Sequence, residues 1–391
     1  LILTSINDPQ NNIYITAVCI TLVAFFSATQ DIIIDAYRIE SVEQNLQGSL
    51  SSTYIAGYRI GMLVGGAGSL WLASFWGAEV YEHNVWKKVY LTMSLLMLIG
   101  IFANLVSHEP NQKRIFSNKT NLHFKFFVNI LISVIIFIFI YSNIDNPFTD
   151  KNLLSFLFTI LKLIICFLCS SIYILILIKL KLQDRLIIKE SYLNPIKNFI
   201  DRYGKLALLI LLLISLYRMA DVVMGVMANI FYLEKGYSIS DIATYSKFFG
   251  VFATIIGGLL GGYFAMKFGT MITLFIGALI ASVSNLLFAW LATTEANIKY
   301  LISVITADNI SSGFAGAAFV IYLSGLTSIR FTATQYALFS SLMLFLPKLL
   351  AGYSGAWVDV VGYQVYFITT ALIGIPVLFL IIYISKVAPI R

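Results

Sequence analysis

The sequence predicts an all-α, polytopic membrane protein. Hydrophobic residues make up 59% of the 391-residue chain and only 12% are charged, against about a quarter charged in a soluble domain. Mean hydropathy is +0.87. Apolar stretches of about 20 residues, the length that crosses a hydrocarbon core of about 30 Å, recur from end to end. A soluble protein of this size must cover itself with polar side chains, and here they are too few. That excludes a cytosolic enzyme, a nucleic-acid binder and a secreted disulfide scaffold.

Eleven apolar segments are expected, at 13–34, 53–75, 86–106, 123–141, 153–178, 206–232, 244–266, 270–292, 300–323, 334–358 and 363–385. The connecting stretches assign sidedness. With the 35–52 loop cytoplasmic, sixteen Lys and Arg residues fall on the cytoplasmic side. They include Lys113, Arg114, Lys119, seven between Lys179 and Lys205, and Lys386 and Arg391. The opposite side holds five: Lys87, Lys88, Lys151, Lys235 and Lys299. This excess of basic residues places the C-terminus in the cytoplasm, and some of them can bind lipid headgroups instead. The chain opens with Leu1, and eleven spans is an odd count for a carrier built from two equal halves. The expectation is that an N-terminal part is missing, or that translation began at an unusual start.

The first segment ends in Asp31, Asp35 and Arg38, whose offsets of four and three put them on one helical face. Carboxylates are costly in a bilayer and usually face the bundle interior or a water-filled path. These can bind a cation, carry a proton, hold a neighbouring helix, or form a structural salt bridge at the helix end. In the second segment Gly57, Gly61 and Gly65 repeat at four, which suits close helix packing. Arg59 lies among them, as a partner for Asp35 or for a substrate anion.

The fourth and fifth segments are almost wholly apolar. Cys166 and Cys169 form a CxxC there, with no flanking polar or basic groups to stabilise thiolates, so with Cys19 they read as inert. Lys162 reads as a snorkelling residue.

Arg218 and Asp221, three apart in 206–232, read as a local ion pair, a gated pair or a substrate contact. Asp308 and Asn309 lie at intermediate depth in 300–323, before Gly313 and Gly316. A buried Asp is costly to keep charged unless paired. Asp308 is the leading candidate for proton or substrate coupling, against a packing hydrogen-bond network. Gln335 opens the tenth segment, and Lys348 follows Pro347 in it; proline suits a bend or gate, and Lys348 suits snorkelling. No metal or cofactor is expected. His83, His108 and His123 have no ligand spacing, and the run Gly257-Gly258-Leu-Leu-Gly261-Gly262 lacks the Lys-Ser/Thr of a phosphate loop.

Longer strings carry a resemblance. Gly261-Gly262-Tyr-Phe-Ala-Met-Lys267-Phe-Gly269 resembles the glycine/basic loop motif of the major facilitator superfamily. Ser27 to Arg38, Gly57 to Val64, Tyr217 to Asp221, Asp308-Asn309 with Gly313, and Phe331 to Leu338 resemble helices four, five, seven and ten and the entry to helix eleven of AmpG-type muropeptide permeases. The resemblance implies a two-bundle transporter with an incomplete N-terminal bundle and two additional spans. Residues 1–106 would hold helices four to six, 107–205 a linker with two additional helices, and 206–391 the C-terminal six-helix bundle.

It also implies proton-coupled import of N-acetylglucosaminyl-1,6-anhydro-N-acetylmuramyl peptides across the bacterial inner membrane for cell-wall recycling. Arg59 and Arg218 would then meet substrate anions. Asp35, Asp221 and Asp308 would couple protonation to movement, and Gly262, Lys267 and Gly269 would belong to a gating loop. Ala220 stands where the family commonly has Gly, and Asp308 where it commonly has Glu, which bears most on substrate identity. Two other readings stand beside this one: a truncated, non-transporting membrane remnant, and a carrier of another anionic metabolite such as an acetyl-CoA-like molecule.

Overall fold

The computed structural model describes residues 1–43, 46–77, 81–110, 120–148, 153–238 and 241–387. Among these there is helix and no strand. After a single turn at Ile2–Ile6, the long elements follow in order. They are α1 (Ile13–Glu40), α2 (47–75), α3 (His83–Val106), α4 (Thr120–Asn143) and α5 (Leu153–Lys179). A helical stretch at 185–203, α6, joins them to α7 (Leu206–Glu234), α8 (Ile242–Phe268), α9 (Thr270–Thr293), α10 (Ile298–Leu326), α11 (Thr332–Ala351) and α12 (Ser354–Val387).

Nine helices among the described residues are long and apolar enough to cross a membrane, not eleven. The two that differ are α2 and α11. A π-helical turn at Val64–Gly68 divides α2. α11 carries Thr332, Thr334, Gln335, Ser340, Ser341 and Lys348. The glycines and Arg59 of α2 and the polar side chains of α11 lower their hydropathy. The expected 334–358 segment also ends early, at Ala351, and Ser354 already begins α12, which bends at Gly362 with φ of 75°. Lys113, Arg114, Lys119, Lys151 and Arg391 lie outside the described residues.

α7–α12 form one packed group with two apolar clusters. One joins Ile210, Leu213 and Ile214 of α7 to Leu274, Phe319, Phe339 and Ile381. The other joins Met224 and Phe231 to Phe288, Leu301, Tyr366 and Phe367. α8 and α10 approach backbone to backbone. A Cβ on Gly257 would lie 2.1 Å from the Ile310 carbonyl oxygen, and one on Gly313 2.1 Å from that of Thr254. Small residues allow that approach where lipid supplies no hydrophobic drive between helices.

α4 and α5 pair as a hairpin, with the Ser133 hydroxyl donating to the Ser170 carbonyl at 3.1 Å. The Thr159 hydroxyl lies 2.8 Å from that of Tyr353, between α11 and α12, and Phe156 meets the same ring edge-on. Lys162 places its ammonium 3.9 Å from the Tyr141 ring centre, inside the hairpin. Cys19 and Cys166 are buried, and all three cysteines are free.

Candidate functional site

α7 is not one continuous helix. It breaks at Arg218, whose φ of −90° and ψ of 3° lie in the sparsely populated bridge region where many active-site residues sit. Anchors flank the break. Tyr217 donates its hydroxyl to the Leu274 carbonyl at 3.2 Å and stacks on Phe319 with centroids 4.4 Å apart. Asn285 donates to the Ala220 carbonyl at 3.3 Å. The second piece starts at Met219, so Asp221 sits in a first helical turn, where a carboxylate is favoured by the helix dipole.

Arg218 Nη2 meets Asp221 Oδ2 at 2.6 Å, with side chains 25% and 20% exposed. The expected pair therefore exists, and the protein does not fully enclose it. The Arg218 Nε is buried without a hydrogen-bond partner. α10 lines the other side: the Ser312 hydroxyl lies 3.5 Å from Asp221 Oδ2, and a Cβ on Gly316 would come within 3.4 Å of Arg218 Nη1.

Arg59 of α2 lies close enough to feel the charges of both Arg218 and Asp221. It is not the partner of Asp35, which the sequence left open. Among the described residues Arg59 makes no ion pair or side-chain hydrogen bond. Among the described residues Asp221 therefore pairs with Arg218 alone, and Arg59 lies within electrostatic reach of both without a partner of its own. One turn before Ser312 on α10, Asp308 is partly exposed and pairs with no cation among the described residues. The Ser284 hydroxyl lies 3.5 Å from its Oδ1, and Ser311 links Ser284 to the Asp308 carbonyl at 3.1 and 2.8 Å.

A second cluster sits at the end of the bundle where α1 stops and α2 starts. Arg38 is 3% exposed. Its Nη2 meets Asp35 at 3.4 Å, while Nη1 donates to Ser51 at 3.0 Å and to Ser324 of α10 at 3.1 Å. The guanidinium stacks between the rings of Tyr54 and Tyr336, at 5.2 and 5.3 Å. One arginine thereby ties α1 to α2, α10 and α11. Asp31, one turn earlier, is exposed.

Beside it α2 closes on α8. Ser52 donates to the Gly258 carbonyl at 2.9 Å, and a Cβ on Gly262 would fall 2.6 Å from the Gly48 carbonyl oxygen. Gly262 therefore lies within a helix and at a helix crossing, not in a loop. Lys267 is exposed, its ammonium 5.3 Å from the Phe268 ring, and Gly269 makes the turn into α9 with φ of 87°. The glycines expected to pack α2 do not do so: a Cβ on Gly57, Gly61 or Gly65 meets nothing within 4 Å. A cavity of about 660 Å³ opens at this same end, lined in part by Glu40, Glu43, Gln47, His108 and Thr327, away from Arg59 and Arg218.

Two expected site residues are packing elements. Asn309 accepts from Thr254 at 3.0 Å and donates to the Ile305 carbonyl at 2.9 Å, clamping α8 to α10. Gln335 is 1% exposed. It donates to the Pro195 carbonyl at 2.8 Å and to Asn198 at 3.2 Å, and accepts from Arg202 at 3.1 Å and from the Ser328 N–H at 2.7 Å. Sequence reasoning missed Ser51, Tyr54, Ser324 and Tyr336 around Arg38, and Tyr217 and Asn285 around the α7 break. Polar residues at helical spacing were the available signal, but their partners lie far away along the chain.

Among the described residues no group of His, Cys, Asp and Glu is arranged to hold a metal ion. The family model of the Major Facilitator Superfamily matches residues 1–351. Relatives align with most of the chain. AmpG 4 of Rickettsia felis, named as a transporter, is 27% identical over 388 residues, 99% of this chain and 77% of the relative. AmpG 3 of Rickettsia prowazekii is 30% identical over 369 residues, 93% of this chain and 70% of its own. AmpG 1 of Rickettsia conorii is 28% identical over 378 residues, 97% and 76%.

Proposed function

The chain belongs to the major facilitator superfamily, as a secondary transporter of the AmpG-like kind that moves a small molecule across a membrane and is not an enzyme, and we propose that its cargo is an anhydro-muropeptide imported with protons across the bacterial inner membrane. The observation that carries the reading is the charge imbalance at the junction of α2, α7 and α10. Arg218 holds the one nearby carboxylate, Asp221, Arg59 feels the charges of both and has no ion pair among the described residues, and the Nε of Arg218 has no acceptor. A guanidinium held in an apolar bundle is costly until an anion meets it. Its planar fork binds a carboxylate in two-point fashion. A muropeptide brings carboxylates, and sugar hydroxyls for Ser312.

The cargo's carboxylate enters opposite Arg59 and draws on Arg218. Asp221 then shares its cation with the cargo. Asp308, on the next helix, takes the proton that offsets this redistribution. A substrate or proton can shift the inward and outward populations only by binding one of them better, and rearranged pairs between α2 and α7 supply that difference. The Arg38 cluster and the α2–α8 crossing form the closed cytoplasmic end, and the C-terminus lies on that side. The domain division follows: 1–106 and 206–391 move against each other, with 107–205 between them.

The test is uptake of labelled muropeptide into proteoliposomes under an inward proton gradient. Uptake that needs the gradient, and falls at least about tenfold in Arg59→Ala at matched abundance, is the expected result. Gradient-independent uptake, or no change in Arg59→Ala, would overturn it. Because the site selects an anion and not a sugar as such, acetyl-CoA is the competitor to include. Faster uptake of acetyl-CoA would move the cargo assignment and leave the site intact.

A further inference from the structure

α6 has two apolar faces, and only one is covered. The inner face carries Ile187, Pro195 and Phe199, all buried. Phe199 packs on Phe339 of α11 with centroids 5.0 Å apart. Gln335 holds the Pro195 carbonyl, and Arg202 donates to the Leu326 carbonyl at the end of α10 at 2.8 Å. The ends of the helix are fixed too. Asp184 caps it by accepting from the Leu186 N–H at 2.8 Å, and Gly204 turns the chain out with φ of 53°.

The outer face repeats at helical spacing. Leu186, Leu193, Ile196 and Ile200 are 56%, 55%, 43% and 48% exposed, and Leu182 just before them is 48% exposed. Offsets of three and four place Leu193, Ile196 and Ile200 on one side of the α-helical part, and a π-helical turn at Lys189–Leu193 separates them from Leu186. Arg185, Lys189 and Lys197 are exposed among them and form no salt bridge with any described residue. Lys179 and Lys181 lead into the stretch.

We infer that α6 is an interfacial helix that binds the anionic phospholipid surface of the leaflet at its own end of the bundle. Position argues for this occupant. α5 ends at Lys179 and α7 begins at Leu206, both membrane-crossing helices, so α6 runs where they leave the hydrocarbon. Charge argues for it as well. An apolar stripe with Lys and Arg among its residues sinks its alkyl groups into the acyl boundary and presents ammonium and guanidinium groups to phosphates. The inner contacts give the binding a consequence. Lipid seated on the outer face steadies the helix that holds the end of α10 and the start of α11, so anionic lipid favours the state in which those ends are fixed. The inference depends on neither the cargo nor the direction of transport.

The test uses the full chain in nanodiscs of phosphatidylcholine alone or with a third of phosphatidylglycerol. Native mass spectrometry counts retained phosphatidylglycerol, and hydrogen exchange follows 185–203. The expected result is retained phosphatidylglycerol and slower exchange of α6 in the anionic discs. Both effects should be lost in the variant combining Arg185→Gln, Lys189→Gln and Lys197→Gln, with apparent phosphatidylglycerol affinity at least about tenfold weaker. If that variant is not monodisperse, Lys189→Gln alone is read in the same assay, with a smaller drop of the same sign. Equal exchange in both disc types, or unchanged phosphatidylglycerol retention in the variants, would overturn the inference. So would a stripe that stays exchange-protected only when a soluble protein is added.

Discussion

Arg218 faces Asp221 at 2.6 Å while both side chains remain a fifth to a quarter exposed. Solvent screening keeps the pair's contribution to stability small, near the range of about 0–1 kcal/mol for accessible pairs. A pair that adds little to folding but sits at a helix break is suited to exchange partners. Arg218→Ala and Asp221→Asn are therefore expected to leave membrane abundance near wild type and to cut uptake at least about tenfold each. Uptake per molecule in both single variants, normalised by immunoblot, is the measurement. Near-normal rates in both would return the pair to a structural role.

Asp308 presents the sharper residue-scale case. Its nearest side-chain donor is Ser284 at 3.5 Å, a weak contact, and no cation pairs with it among the described residues. Asp308→Asn keeps the shape and removes the titratable proton, so it should abolish gradient-driven uptake while exchange of bound cargo continues. Asp308→Glu should retain more transport. Parallel proton-flux and exchange assays in proteoliposomes separate the two, and normal proton-coupled uptake by the Asn variant would sink the coupling role.

Much of this was legible in the sequence, because charged residues three or four apart on an apolar helix share a face. That spacing predicted the Asp35–Arg38 and Arg218–Asp221 pairs. It could not reveal that Arg38 reaches Ser324, 286 positions away, or that Arg59 sits by Arg218 and not by Asp35. Those contacts are set by which helices adjoin.

At the scale of elements, glycine spacing proved a poor guide to which face packs. Gly57, Gly61 and Gly65 repeat at four and meet nothing, whereas Gly262 meets the backbone of Gly48 and the hydroxyl of Ser52. Both sets have the pattern that permits close approach, and only the partner helix distinguishes them. The two sets should respond differently to the same change. Gly262→Val forces α2 and α8 apart and should cost about 1–3 kcal/mol, read as a lowered Tm in detergent. Gly61→Ala should leave Tm unchanged within error and, by removing backbone freedom from the unfolded chain, is if anything stabilising. A Gly262→Val protein as stable as wild type would mean that the crossing is not tight. The hydropathy pattern, by contrast, located α3–α5 and α7–α10 to within about three residues of their ends, because lipid-facing helices are apolar on most sides, and it stopped α1 at 34 where the helix runs on through Asp35 and Arg38 to Glu40. It ran 334–358 across the turn at Gly352 and Tyr353, whereas the break it placed before 363 coincides with the non-helical Gly362.

For the molecule as a whole, the links between α1–α2 and α8, α10 and α11 lie at one end. Arg38 bridges to Ser324 and Tyr336, Ser52 bonds to the Gly258 carbonyl, and Gly48 packs on Met266. These bonds span the line along which two bundles must part for a carrier to open on that side. From the excess of Lys and Arg we propose that this end is cytoplasmic. Two expectations follow together. Reporter fusions within 179–205 should read cytoplasmic, and a periplasmic signal there would reverse the assignment. Cysteines placed by Gly48→Cys and Met266→Cys, in a chain with Cys19, Cys166 and Cys169 replaced by Ala, should form a disulfide once the crossing yields slightly, since a Cβ at 48 falls 2.6 Å from the Met266 Cγ and 2.8 Å from the Gly262 carbonyl oxygen. Oxidation should then stop uptake, and reduction should restore it. The cross-link leaves Arg59, Arg218 and Asp221 untouched, so cargo binding from the opposite side should persist while translocation halts. Uptake that continues at the reduced rate's level after complete cross-linking would show that this end does not open during transport, and the closed contact at Arg38 would then be permanent architecture.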